Sequence, residues 1–183
     1  MSSTHVALLR GINVGGKNKL PMKDLVAMFE RAGCARVRNY IQSGNVVFDA
    51  EEKVVNGLAA KIEAEIDRAF GLRVPVMLRT ARELRALAQK NSLLDAGASP
   101  DSLHVMFLAS DPGKARAAAL DPDRSPPDTF VVRGREVYLC CPNGIGRTKL
   151  SNVWFDAKLG TISTGRNWKT VLTLVEMCGD RPA

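Results

Sequence analysis

The stretch Val37-Arg38-Asn39-Tyr40-Ile41-Gln42-Ser43-Gly44-Asn45-Val46-Val47-Phe48 reads as a β-hairpin. Its strands are Val37–Gln42 and Asn45–Phe48, and the tight turn falls at Ser43-Gly44, where glycine supplies the positive φ such turns need. Before the hairpin, apolar alternation predicts a strand at His5–Arg10, a loop through Lys19 and a helix with Pro21 in its first turn. Met22, Leu25, Val26 and Phe29 form the buried stripe of that helix. After the hairpin, Val55, Leu58, Ile62, Ile66 and Phe70 share one face of a helix spanning Glu51–Phe70, and Val74–Leu78 follows as a strand. The resulting order, β-α-β-β-α-β, is that of a ferredoxin-like unit.

The second half begins the same way. A short helix at Ala81–Gln89 and a loop through Pro100 lead to a strand at Leu103–Ala109, an alanine-rich helix at Pro112–Leu120, and a hairpin of Thr129–Arg133 with Glu136–Cys140 turning at Gly134. Two helices then close the chain, Lys149–Leu159 behind a Thr148 cap and a last one around Asn167–Cys178. The expected fold is α+β, with two ferredoxin-like halves packed together and the second ending in extra helices. The halves are residues 1–79 and 102–183, joined by a connecting helix and loop at 80–101. No matching residue identities mark the duplication, which rests on element order alone.

At 183 residues the chain can bury a sizeable core without disulfide, metal or other cofactor. Hydrophobic content of 45% and charged content of 25% are those of an ordinary globular protein, and the only polar, proline-rich stretch is Asp121–Asp128. The longest apolar runs, such as Leu103–Ala109, are far shorter than the roughly 20 residues a membrane helix needs. Met1-Ser2-Ser3-Thr4-His5 lacks the basic flank and apolar core of a signal peptide. Cytoplasmic residence is the expectation, with no membrane partner. Cys34, Cys140, Cys141 and Cys178 include no C-x-x-C pair and read as reduced, mostly buried thiols. Cys140 and Cys141 should point to opposite faces of a strand. His5 and His104 each stand alone in an apolar strand, so no metal site is expected.

Charge is unevenly placed. Met1–Lys23 holds Arg10, Lys17, Lys19 and Lys23 with no acid, while Gly144–Lys169 holds Arg147, Lys149, Lys158, Arg166 and Lys169 against Asp156. Each segment nets +4 out of a total of +7, leaving the remainder at −1. Segregation of this kind suggests an anionic partner if the two segments meet in space.

Both segments are rich in glycine and asparagine. Arg10-Gly11-Ile12-Asn13-Val14-Gly15-Gly16-Lys17-Asn18-Lys19 links a strand to a helix, where backbone N–H groups can converge on an anion. Gly11, Gly16 and Lys17 satisfy G-x-x-x-x-G-K. Asn18, however, replaces the magnesium-binding Ser or Thr, and Pro21 interrupts the helix that should start at once. The loop is either an anion-binding loop or a tight connection. Ser43 and Asn45 at the hairpin tip either read a substrate or satisfy the turn. Gly144-Ile145-Gly146-Arg147-Thr148-Lys149-Leu150-Ser151-Asn152 approaches a helix N-terminus with two cations, and is the strongest single anion-site candidate. Thr164-Gly165-Arg166-Asn167-Trp168-Lys169-Thr170 repeats the pattern. There Trp168 belongs to a core face, while Arg166 and Asn167 are freer to act. Nucleophilic catalysis has little support, since no G-x-S-x-G elbow occurs and the helix dipole would raise the Cys34 pKa.

Taken together, Leu8–Gly16, Tyr40–Phe48, Gly144–Leu150 and Thr164–Thr170 resemble the bacterial domain-of-unknown-function 1697 family. Thr148 stands where serine is expected, and Gly165 where many members carry another residue. The resemblance implies two related ferredoxin-like halves and supplies no activity.

The leading expectation is a protein that binds a phosphate-bearing ligand or nucleic acid, with Arg10, Lys17, Lys19, Arg147, Lys149, Arg166 and Lys169 lining one cleft. The alternative is an enzyme acting on a small anionic metabolite, oriented by Asn13, Ser43, Asn45 and Asn167. A third reading makes the segments purely structural and the cations solvated. Oligomeric state cannot be read from the sequence.

Overall fold

The computed structural model describes residues 1–179. The first part of the chain forms β1 (Ser2–Leu9), α1 (Met22–Arg31), β2 (Ala35–Tyr40), β3 (Asn45–Glu51), α2 (Glu52–Val55), α3 (Leu58–Phe70) and β4 (Val76–Thr80). Next come α4 (Ala81–Gln89) and α5 (Ser92–Asp95), then β5 (Leu103–Leu108), α6 (Lys114–Ala118), β6 (Thr129–Arg133) and β7 (Glu136–Cys140). The chain ends with α7 (Asn152–Leu159), β8 (Ser163–Asn167) and α8 (Trp168–Gly179). Two four-stranded antiparallel sheets result, ordered β2-β3-β1-β4 and β6-β7-β5-β8. Each is the sheet of a β-α-β-β-α-β unit. The chain divides into two compact units, Met1–Ala86 with the residues from Thr173 onward, and Leu87–Leu172.

The expected α+β duplication is therefore present, and it is more complete than expected. The second half does not end in helices alone: β8 closes its sheet against β5, from His104↔Asn167 to Leu108↔Ser163. Ser163-Thr164-Gly165-Arg166-Asn167 has no apolar alternation, and its place is secured by backbone pairing to a strongly apolar neighbour. The Glu51–Phe70 helix is broken into α2 and α3 at Asn56-Gly57, with Glu51 still in β3. The alanine-rich helix shortens to Lys114–Ala118. The helix expected at Lys149 starts at Asn152 instead, capped by Ser151, whose Oγ accepts from the Trp154 N–H at 3.2 Å. On α1, Met28 is buried where Val26 was expected.

In the first unit the helices cover one face of the sheet, where Ala7, Leu9, Val46, Phe48 and Val76 pack with Leu25, Phe29, Ile62 and Ile66. In the second unit Met106, Leu108, Val137 and Leu139 pack with Leu120, Leu150, Phe155 and Leu159. The alternate residues of the central strands, Val6, Leu8, Val105 and Phe107, are fully buried as well. Two-sided burial explains why β1 and β5 read as continuous apolar runs rather than as an alternation.

Register also exposes residue identities that element order alone concealed. Val6 stands opposite Arg79, and Val105 opposite Arg166. In that frame Ser3, His5, Val6 and Leu9 match Ser102, His104, Val105 and Leu108. Each histidine Nδ1–H donates to the carbonyl two residues back, His5 to Ser3 at 2.9 Å and His104 to Ser102 at 3.3 Å. Each arginine is buried and donates to the preceding carbonyl, Arg79 to Leu78 at 2.9 Å and Arg166 to Gly165 at 2.7 Å. The next residue caps a helix in both units. Thr80 Oγ1 accepts from the Glu83 N–H at 3.1 Å, and Asn167 Oδ1 from the Thr170 N–H at 2.8 Å.

Candidate functional site

The β1–α1 connection folds as a small finger rather than as a P-loop. Val14 and Lys17 form an isolated antiparallel bridge, and the Lys17 N–H donates to the Val14 carbonyl at 3.0 Å. Between them Gly15 and Gly16 have φ of 57° and 75°. A turn with two left-handed central residues is type I′, so the glycine pair has a steric reason. The chain reverses there instead of wrapping an anion and entering a helix. Helix α1 begins only at Met22, behind Pro21.

Two asparagines hold the finger, both in the left-handed region at φ 54° (Asn13) and 50° (Asn18). Asn13 Nδ2 donates to the carbonyls of Leu20 and Gln42, each at 2.8 Å, and its Oδ1 accepts from the Leu20 N–H at 2.8 Å. Asn18 Nδ2 donates to the Gly11 carbonyl at 2.9 Å, and the Asn13 N–H to the Asn18 carbonyl at 3.1 Å. Asn18, which spoils the P-loop pattern, is thus a staple that the sequence reading missed. Lys17 and Lys19 remain exposed, as do Val14, Gly15 and Gly16, while Arg10 is half-buried with its N–H on the Pro75 carbonyl.

The β2–β3 turn abuts the finger through the Asn13–Gln42 bond. Asn45 is fully buried, and its Nδ2 donates to the Tyr40 carbonyl at 3.2 Å and to Ser43 Oγ at 3.0 Å. These groups satisfy the turn. Gly44 is constrained twice: its φ is 74°, and a Cβ there would lie 2.7 Å from Leu9 Cβ. Asn13, Ser43 and Asn45 therefore build the loop pair, and it is the lysines that face outward.

The basic segment of the second unit has a different anchor. The Lys149 N–H donates to Ser125 Oγ at 3.0 Å, and Ser125 in turn donates to Asp128 Oδ2 at 2.8 Å. Both Ser125 and Asp128 are buried, so the proline-rich stretch supports the loop rather than hanging free. The Leu150 N–H goes to Thr148 Oγ1 at 3.1 Å. The N–H groups of Lys149 and Leu150, where the helix was expected to start, are thus bonded within the protein, whereas the side chains of Arg147 and Lys149 are exposed.

Arg166 is not free to act. It is 8% exposed, and it also donates to Thr164 Oγ1 at 2.9 Å. Burial lowers its pKa to about 10, which still leaves it charged at neutral pH. Asn167 is spent on its helix cap, and Lys169 is exposed. Trp168, 2% exposed, is a core residue as expected. The thiols of Cys34, Cys141 and Cys178 are buried, which raises the pKa of each to about 11, so none is a ready nucleophile at neutral pH. Burial lowers the His104 pKa below the ordinary histidine range. Among the described residues no helix is long and apolar enough to cross a membrane.

The class defined by this geometry is an α+β protein of two ferredoxin-like units that carries a stapled basic finger on the first. The chain belongs to the family described as protein of unknown function DUF1697, whose model matches residues 2–138. The matched range includes the finger and the β2–β3 turn and stops before the segments at 144–150 and 164–170. A solved structure, that of the conserved bacterial protein SP0830 from Streptococcus pneumoniae, shares the fold. Its TM-score is 0.74 at 20% identity, covering 97% of this chain and 99% of that one. No curated protein matches.

Proposed function

We propose that this protein binds a phosphate-bearing anion, with the finger of the first unit as the principal contact. One observation carries the reading: Lys17 and Lys19 stand exposed on a loop whose conformation is already fixed by the side chains of Asn13 and Asn18. Binding to such a loop orders little new backbone, so most of the electrostatic attraction survives as affinity. Arg147 and Lys149 add a second exposed basic loop, on the second unit. Among anions, the backbone of a nucleic acid suits this chemistry, because lysine ammonium groups and backbone N–H groups are common phosphate contacts. The asparagines that would orient a small substrate in an enzyme are occupied by backbone partners.

Fluorescence anisotropy with a labelled DNA duplex tests the reading. Affinity should fall by orders of magnitude between ~50 and ~200 mM salt, and Lys17→Ala with Lys19→Ala should lower the salt slope by about two. No binding at ~50 mM salt, together with no thermal shift from pyrophosphate, would remove the proposal.

A further inference from the structure

The two sheets treat their hairpin edges differently. β2 is closed to further pairing: its register shifts between Ala35 and Arg38, and Arg36 sits at φ 48° with its guanidinium on Asp49. Arg38 also donates to the Met177 carbonyl at 2.6 Å. Bulges and inward-tied charges are how edge strands avoid adding a neighbour. β6 has neither. Thr129–Arg133 pairs with β7 residue for residue, without a register shift, and carries Phe130-Val131-Val132 in its middle.

The hydrogen-bond phase of this edge is fixed from both sides. The two-residue loop Gly134-Arg135 makes Arg133–Glu136 a hydrogen-bonded pair, hence also Val131–Tyr138 and Thr129–Cys140. On the far side of β7 the Leu108 N–H donates to the Arg135 carbonyl at 2.8 Å, which demands the same alternation. The N–H and C=O groups of Phe130 and Val132 therefore point away from the sheet. Beside them lies a cleft of about 660 Å³ whose walls include Ala117, Leu120, Pro122, Phe130 and Val132.

We propose that β6 pairs with β6 of a second copy of this chain, antiparallel about a twofold axis through Val131. The sequence of the edge is what selects this occupant. In that register Phe130 faces Val132 of the second copy, so every outward backbone group of these two residues finds a partner. Phe130 and Val132 of each copy lie over the cleft of the other, extending the apolar surface that Phe130 and Val132 already share with the core. Thr129 faces Arg133 of the second copy, so no like charges meet. An interface with the same patch on both sides is the form that closes after two subunits.

Light scattering coupled to size exclusion tests this on the full chain. A short edge pairing is small beside a standard interface of about 1,600 Å², so dimer should grow in with concentration across roughly 1–300 µM. Thr129 is exposed, so its exchange leaves the buried core untouched. Thr129→Lys places a cation against Arg133 and should weaken dimerisation roughly three- to thirtyfold, whereas Thr129→Glu should tighten it by a similar factor. Circular dichroism of both variants checks that they remain folded. A monomer over the whole concentration range, or a dimer that responds alike to the two substitutions, would overturn the proposal.

Discussion

The two units share one plan and differ in what they do with it. Both set a histidine in the central strand, a buried arginine on the strand that closes the sheet, and a capping residue directly after it. Between β1 and α1 the first unit inserts a finger held by Asn13 and Asn18, whereas the second passes from β5 to α6 through only Ala109–Gly113. The shared features lie in the sheet and at the helix starts, where packing and backbone geometry leave little choice. The divergent ones lie in connections and at edges. The repeated part is scaffold, and the part found in only one unit is where binding is to be sought.

The largest test of this contrast is Gly44→Ala, at the contact between the finger's base and the β2–β3 turn. The added Cβ would meet Leu9 Cβ on a backbone already at positive φ, so unfolding in denaturant should show a loss of about 2–4 kcal/mol. Asn13→Ala comes next. It removes the donors to Leu20 and Gln42 and the acceptor for the Leu20 N–H, and should cost about 1–3 kcal/mol in the same measurement while weakening anion binding. An Asn13→Ala protein that keeps full stability would show that the finger is not stapled. Smallest are the shared caps: Thr80→Ala and Asn167→Ala should each cost about 1 kcal/mol and leave binding untouched. Widely unequal losses would break the equivalence of the two units.

Much of the scaffold was legible in the sequence. The bounds of α4, β6 and β7 agree with the pattern of apolar residues and turn glycines, because those elements are short, regular and bounded by clear breakers. β8 was not legible, because Ser163-Thr164-Gly165-Arg166-Asn167 is recruited by the backbone of β5 and carries no periodicity of its own. Within the basic segments charge was visible but direction was not. Arg166 and Lys17 look alike in a string of letters, yet one lies buried on a strand and the other stands on a turn. The capping and stapling asparagines were noticed as polar residues near glycine. That Asn13, Asn45 and Asn167 spend their amides on backbone partners follows only from the conformation of the loops. One signal was available: asparagine is the residue that most readily joins glycine at positive φ, and Asn13 and Asn18 flank the glycine pair symmetrically.

The bond from Arg38 to the Met177 carbonyl has a consequence for synthesis. The second unit is continuous in the chain, but the first draws on residues up to Ala86 and again from Thr173. A ribosome delivers those two portions far apart in time. While residues 87–172 are being made, β2 waits without the helix segment that its arginine will later grip. The first unit to begin translation is thus the last to have all of its residues delivered.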